Sequence, residues 1–118
     1  TDDNLETAIT ESDLICNATS CGMSPFINDS PVSIRVLNRA SKKSDFSKKL
    51  FFDAIFNPYK TKFLSYAEKL NAKIQGGTEM MIYQGIKAFH LWTGYSVDQK
   101  IIRESAQLLK EKLTKSLP

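Results

Sequence analysis

The sequence contains few of the residues that most often mark a catalytic or metal site. It has one histidine, His90, and two cysteines, Cys16 and Cys21. These three residues cannot supply four ligands at a standard spacing, so we predict no metal site. A Gly-x-Ser-x-Gly nucleophile motif and a glycine-rich phosphate loop are also absent. The sequence therefore predicts no catalytic residue and no cofactor, and it favours a protein that is not an enzyme.

Arginine and long apolar runs are also scarce. There are three arginines against thirteen lysines, and sequence-specific DNA reading is disfavoured because Arg makes the bidentate contacts to phosphate and base edges. The apolar runs are far shorter than the ~20 residues that span a bilayer, so no membrane span is predicted. No signal peptide is visible, and the start at Thr1 fits either a processed or a shortened chain.

Cys16 and Cys21 are five residues apart, which leaves two interpretations open. A regular helix would separate them by about 7.5 Å along its axis and prevent a disulfide. A helix that ends between them would permit one, and Gly22 is a suitable stop. We favour a Cys16–Cys21 disulfide, and with it a secreted or periplasmic location, over two buried thiols.

Charge is divided unevenly along the chain. Residues 1–29 contain six acidic residues and no lysine or arginine, whereas residues 30–118 contain all sixteen basic residues and seven acidic ones. The acidic segment could fold onto the basic one, pair with it between two copies, or leave it free for an anionic partner.

Helical periodicity dominates the rest of the pattern. Apolar spacing predicts an acidic N-terminal helix within residues 1–29 and further helices in a basic body of residues 30–118. Residues 30–41 alternate like a strand, but Ser30-Pro31 favours a short helix. Thr78 and Gly94 bound another helix, and Ser96–Gln99 forms a capping box for the last. We expect one all-α domain, a bundle of five or six helices over residues 1–118.

A basic cluster and a set of aromatic residues are candidate binding surfaces. Eight basic residues could contact phosphates of a nucleic acid or form a solvated face: Arg35, Arg39, Lys42, Lys43, Lys48, Lys49, Lys60 and Lys62. The apolar arc of residues 51–63 is too wide for one helix face and could be core or could face a partner, to which residues 80, 81 and 92 could add. The interface residues it suggests are Phe52, Phe56, Tyr59, Met80, Met81 and Trp92.

These patterns suggest three alternative hypotheses for the function of the protein. The first is a non-enzymatic protein-interaction module, such as an adaptor, an inhibitor or immunity-type protein, or an assembly subunit, with another protein or a second copy as partner. The second is a helical nucleic-acid-binding protein that uses the basic residues. The third is a small RNA-cleaving toxin or effector with His90 as a general base.

Overall fold

The computed structural model describes residues 1–115 and shows helices alternating with short strands. The elements in chain order are α1 (Asp2–Glu11), β1 (Leu14–Asn17), α2 (Ile34–Ser41), a 3-10 turn (Phe46–Lys48), β2 (Leu50–Asp53), α3 (Lys62–Lys69), β3 (Lys73–Gln75), α4 (Thr78–Thr93) and α5 (Gln99–Lys115).

The strands form a parallel sheet in the order β1-β2-β3. The expected all-α bundle is therefore wrong, and the fold is α/β. Each consecutive pair of strands is joined by a connection that contains a helix, as parallel pairing requires. The strands were hidden because each has only three or four residues, which is too short to show a period.

Side-chain alternation explains which face of the sheet is buried. Ile15, Phe51 and Ile74 are register partners and all belong to or pack against the core. Their neighbours Leu14 and Leu50 form the opposite face and are 57% and 37% exposed. One face of the sheet is therefore covered within residues 1–115, while the other is largely open.

The core lies between the covered face and the helices α1, α2 and α3. Phe51 is fully buried, with its ring centroid 5.4 Å from that of Phe46 and 5.5 Å from that of Phe63. The other buried residues of this cluster are Ile9, Val32, Val36, Leu37, Ala40, Leu64 and Ala67. Burying aromatic and branched side chains at this density supplies most of the driving force for folding.

Three helix predictions are confirmed, two of them with corrected starting points. The helix expected within residues 30–41 is α2, and its N-cap is Ser33, whose hydroxyl accepts a hydrogen bond from Val36 N. α4 ends at Gly94 in the left-handed conformation, as the sequence predicts. α5 follows the capping-box segment but begins at Gln99.

Two helix predictions are wrong in extent. The acidic N-terminal helix ends at Glu11, and the chain then enters β1 rather than continuing to the cysteines. The helical pattern expected throughout residues 30–118 is interrupted between α2 and α4, where the chain forms β2, the short α3 and β3. Within residues 1–115, no helix is both long and apolar enough to cross a membrane.

The acidic helix α1 packs against α2 and neutralises part of its charge. Arg39 donates to Asp3 at 2.7 Å and also pairs with Glu6, and Lys43 lies 2.7 Å from Glu6. The hydrogen bond from Lys43 is the largest influence that lowers the pKa of Glu6. In the opposite direction, the hydrogen bond to Asp3 is the largest influence that raises the pKa of Arg39. Of the three arrangements that the charge division allows, the structure has the acidic segment folded onto the basic body.

Candidate functional site

A buried polar network lies where the strands end. The Asp53 side chain, at the last position of β2, is fully buried and accepts hydrogen bonds from three residues. Asn17 Nδ2 lies 3.2 Å from both carboxylate oxygens, Thr61 Oγ1 donates at 2.7 Å, and Ile55 N donates at 3.0 Å. Within residues 1–115 no cation pairs with this carboxylate, so these donors compensate its loss of hydration.

Asn17 connects this network to the loop that follows β1. Its carbonyl oxygen accepts hydrogen bonds from Thr19 N and Thr19 Oγ1, at 3.1 and 2.7 Å. Its amide also donates to Cys21 O at 3.1 Å, and Cys21 N donates to Thr19 Oγ1. One buried side chain therefore fixes both the pairing of β1 with β2 and the course of residues 17–21.

Thr61 performs the same task for the connection after β2. Its hydroxyl donates to Asp53 and accepts a weak hydrogen bond from Leu64 N at 3.4 Å, which makes it the N-cap of α3. The start of α3 is thereby held against the end of β2.

Glycine permits the loops at this edge to lie close together. A Cβ on Gly77 would lie 2.1 Å from Ala54 O, so no other residue fits without moving the backbone. Gly77 N donates a hydrogen bond to Ile55 O at 3.1 Å, which joins the loop after β3 to the loop after β2. Gly22 has φ +97°, a conformation that glycine adopts without steric cost.

The hydrogen-bond network lies beneath the loops at the carboxyl ends of the three parallel strands and holds them in place. In open α/β sheets, ligands bind in the crevice outside this edge, on the loops that follow the strands. The exposed residues of these loops and of the adjoining first turn of α4 include Ala18, Thr19, Ser20, Met23, Phe56, Asn57 and Met80. The arrangement suits an extended ligand bound across the edge, with Asn17, Asp53 and Thr61 shaping the loops from below.

Comparison with known proteins connects this edge to one group of enzymes. Residues 77–107, which begin at the closely packed Gly77, match the Shikimate 5'-dehydrogenase C-terminal domain family. The chain resembles part of a shikimate dehydrogenase. It is 37% identical over 105 residues to the shikimate dehydrogenase (NADP(+)) of Dehalococcoides mccartyi, and 36% identical over 108 residues to that of Methanococcus vannielii. These alignments cover 89% and 91% of this chain but 34% and 36% of the relatives.

Solved structures give the same result. A chorismate mutase/shikimate 5-dehydrogenase fusion protein from Clostridium acetobutylicum superposes with a TM-score of 0.74 at 29% identity, over 92% of this chain and 38% of that one. Shikimate 5-dehydrogenase from Listeria monocytogenes, in complex with shikimate and NAD, superposes with a TM-score of 0.70 at 31% identity, over 87% and 33%. The chain thus spans about a third of the length of the relatives it matches.

These comparisons overturn the functions expected from the sequence. The matched proteins are named as dehydrogenases, so the interpretations as a protein-interaction module and as a nucleic-acid-binding protein are wrong. The hypothesis of an RNA-cleaving toxin with His90 as a general base is wrong for the same reason. His90 lies exposed on α4, with Nδ1 3.1 Å from Tyr95 O.

The eight basic residues proposed to contact nucleic acid do not form one free surface. Most of them have acidic or aromatic partners: Arg35 pairs with Asp2, Arg39 and Lys43 with residues of α1, Lys48 with Asp45, Lys60 with Glu68, and Lys62 lies over the ring of Tyr66. Lys49 is buried and donates to Thr10 O and Ser12 O at the end of α1, at 2.8 and 2.7 Å. Lys42 is exposed.

The six residues proposed as a protein interface are spread over several elements. Phe52 is half-buried on the open face of the sheet, and Phe56 is exposed in the loop after β2. Tyr59 is half-buried beneath Lys110, whose Nζ lies 5.4 Å from the ring centroid. On α4, Met80 is exposed, Met81 is half-buried and Trp92 is 84% exposed. The interface stays a prediction.

Cys16 and Cys21 both carry free thiols in the structure, Cys16 exposed on β1 and Cys21 half-buried in the loop that follows. The disulfide also stays a prediction. Within residues 1–115, no group of three or more His, Cys, Asp or Glu side chains is placed to hold a metal ion.

Sequence reasoning missed the residues that build the edge. The sequence patterns single out none of Asn17, Asp53 and Gly77 as site residues. A usable signal existed, because Asn17 and Asp53 each follow a short apolar run, and a polar residue at that position is typical of the carboxyl end of a buried strand.

Proposed function

We propose that this chain forms part of an NADP-dependent shikimate dehydrogenase and supplies half of its nucleotide-binding sheet together with helices α4 and α5. The identity of 37% to the Dehalococcoides mccartyi enzyme over 89% of the chain carries this proposal. That identity extends well beyond residues 77–107, so the resemblance includes the sheet and its carboxyl edge as well as the last two helices.

The residues present fit one side of a dinucleotide site. Dinucleotides bind at the carboxyl ends of parallel strands where two halves of a sheet meet, and β1 is an edge strand of the described sheet. Ser20 lies in the loop after β1 and is exposed at that position, where its hydroxyl could contact the cofactor, while Thr19 is held in place by its hydrogen bonds to Asn17. NADP⁺, when bound, supplies the hydride acceptor. A glycine-rich phosphate loop is absent from these 118 residues, so the pyrophosphate contacts would come from elsewhere in the enzyme.

The open surfaces of the chain support a place in a larger protein. Parallel sheets are normally covered on both faces, yet Leu14 and Leu50 are exposed on one face. Exposed apolar residues continue along α4 and α5, including Phe89, Leu91, Trp92, Ile101 and Leu108. In this proposal, the remaining two thirds of a dehydrogenase would cover such residues, together with Met80 and the half-buried Phe52. The partner predicted from the sequence is, in this proposal, another part of the same enzyme.

A chimera tests the proposal directly. Replacing the matched 105 residues of the Dehalococcoides mccartyi enzyme by the corresponding residues of this chain should give a protein that reduces NADP⁺ when shikimate is supplied. A second chimera carrying Gly77→Val should be inactive, because its side chain would collide with the end of β2. A matched chimera carrying Asp13→Asn, at an exposed residue outside the edge, should remain active. A first chimera that is folded and binds NADP⁺ but shows no shikimate-dependent reduction would refute the assignment.

A further inference from the structure

A cleft lies at the far edge of the sheet from β1. It has a volume of about 280 Å³ and is bounded by the end of β3, the first turn of α4 and one face of α5. Arg103, Gln107 and Lys110 line it from α5, and Thr78 and Glu79 line it from α4. Because β1 and β3 occupy opposite edges of the sheet, this cleft is separate from the side on which the proposed cofactor would meet β1.

The start of α4 leaves polar groups without partners at this cleft. Gly77 is the N-cap of this 16-residue helix and provides no side-chain hydrogen bond to its first turn. Thr78 is 4% exposed, and its hydroxyl has no hydrogen-bond partner within residues 1–115. A buried hydroxyl normally finds a partner, and a helix N-terminus favours an anion.

The charges around the cleft favour the same kind of ligand. Neither Arg103 nor Lys110 forms an ion pair in the described part of the chain, and Lys110 is held over the ring of Tyr59. Glu79 contributes one negative charge, which leaves the lining at +1 before the helix dipole is added.

We propose that this cleft binds a phosphate group, held by Arg103 and Lys110 of α5 and by the first turn of α4. An arginine donates two parallel hydrogen bonds to phosphate, and a lysine adds a point charge. The bound phosphate would join α5 to the start of α4 and to the loop of Tyr59, and would stabilise the position of α5 in proportion to its occupancy.

Titration of the full 118-residue chain with inorganic phosphate, followed by amide NMR at constant ionic strength with chloride as the control anion, tests this inference. We expect saturable shifts of the Thr78 and Glu79 amides with phosphate and none with chloride. A parallel titration with glycerol phosphate identifies the source of the group. Tighter binding of the ester assigns the cleft to organic phosphates, and equal binding assigns it to free phosphate.

Substitutions that remove either positive or negative charge from the cleft make the test specific. The double substitution Arg103→Gln with Lys110→Gln should weaken binding at least tenfold, whereas Glu79→Gln should strengthen it. The control is Lys112→Gln with Lys115→Gln, which also removes two positive charges from α5 but outside the cleft lining, and it should leave binding unchanged. Thr78→Val keeps the shape of the side chain and should leave the chain folded, because the hydroxyl that it removes has no partner.

Two results would overturn the inference. One is the absence of saturable shifts with either phosphate probe. The other is an equal loss of affinity in the control double variant and in Arg103→Gln with Lys110→Gln, since this would show attraction to overall charge only. Neither result depends on NADP⁺ reduction by the chimera, so failure of this site and failure of the proposed function are distinguishable.

Discussion

Replacement of Asp53 by asparagine tests whether the buried network holds the carboxyl edge together. The new amide group cannot accept a hydrogen bond where Asp53 Oδ2 now accepts from Asn17 and Thr61. The threonine hydroxyl can reverse its direction, but the Asn17 amide would face another donor. A hydrogen bond to a charged group contributes about 1.5–3 kcal/mol, and a buried donor left unpaired costs about 1–3 kcal/mol. Removal of a buried charge offsets part of this sum, so we expect a loss of about 2–3 kcal/mol.

Urea unfolding at neutral pH measures this loss as a change in the free energy of unfolding. Thr61→Val should cost about 2 kcal/mol, because it removes one hydrogen bond to Asp53 and the N-cap of α3. Asp13→Asn is the matched control, since Asp13 is exposed, and we expect a change within about 0.5 kcal/mol. If Asp53→Asn were no more destabilising than Asp13→Asn, the network would not hold the edge and the reasoning would be refuted.

Three further substitutions test other contacts. Gly77→Ala places a Cβ 2.1 Å from Ala54 O and should cost about 1–3 kcal/mol or more, measured by thermal unfolding; an unchanged Tm would show that the edge adapts freely. Glu6→Gln should lower Tm at neutral pH. Because Lys43 lowers the pKa of Glu6, the stabilisation by the ionised Glu6 is complete above the ordinary glutamate pKa and is lost as pH falls through the lowered value. The Tm of Glu6→Gln should therefore approach that of the unsubstituted chain in acid. A difference in Tm that stays constant with pH would contradict this. Lys49→Met removes two hydrogen bonds to the end of α1 and should cost about 2–4 kcal/mol. Amide hydrogen exchange should become faster in α1 but not in α5. Equal exchange of the α1 amides in the variant and in the unsubstituted chain would argue that Lys49 does not hold α1.

The predictable parts of the fold were the long helices. α4 and α5 have 16 and 17 residues, enough for apolar spacing and terminal signals such as Gly94 to be recognised. The strands could not be recognised in the same way. Leu50, Phe51 and Phe52 are consecutive apolar residues, and a strand with apolar side chains on both faces has no alternation to distinguish it from a buried helix. The wide apolar arc of residues 51–63 is in fact made by the two faces of β2, the loop that follows and the start of α3.

The candidate site was beyond the reach of spacing arguments because it is made by long-range pairing. Asn17 and Asp53 are 36 residues apart, and they meet only when β1 and β2 pair in parallel. The absence of a glycine-rich loop was read as evidence against a cofactor. The dehydrogenases that these 118 residues resemble are about three times as long, so a motif missing here does not exclude a cofactor.

The same buried pair that shapes the site also selects the register of the sheet. A slip of one residue would still place an apolar side chain of β1 beside an apolar side chain of β2, because both strands are apolar at successive positions. Hydrophobic pattern alone therefore specifies this pairing weakly. The slip would, however, move the Asn17 amide away from Asp53 and leave a buried carboxylate with fewer donors, at a cost of about 1–3 kcal/mol for each lost partner. Correct pairing of the strands and correct placement of the loops that follow them therefore depend on the same hydrogen bonds, and a variant that loses the network should lose both together.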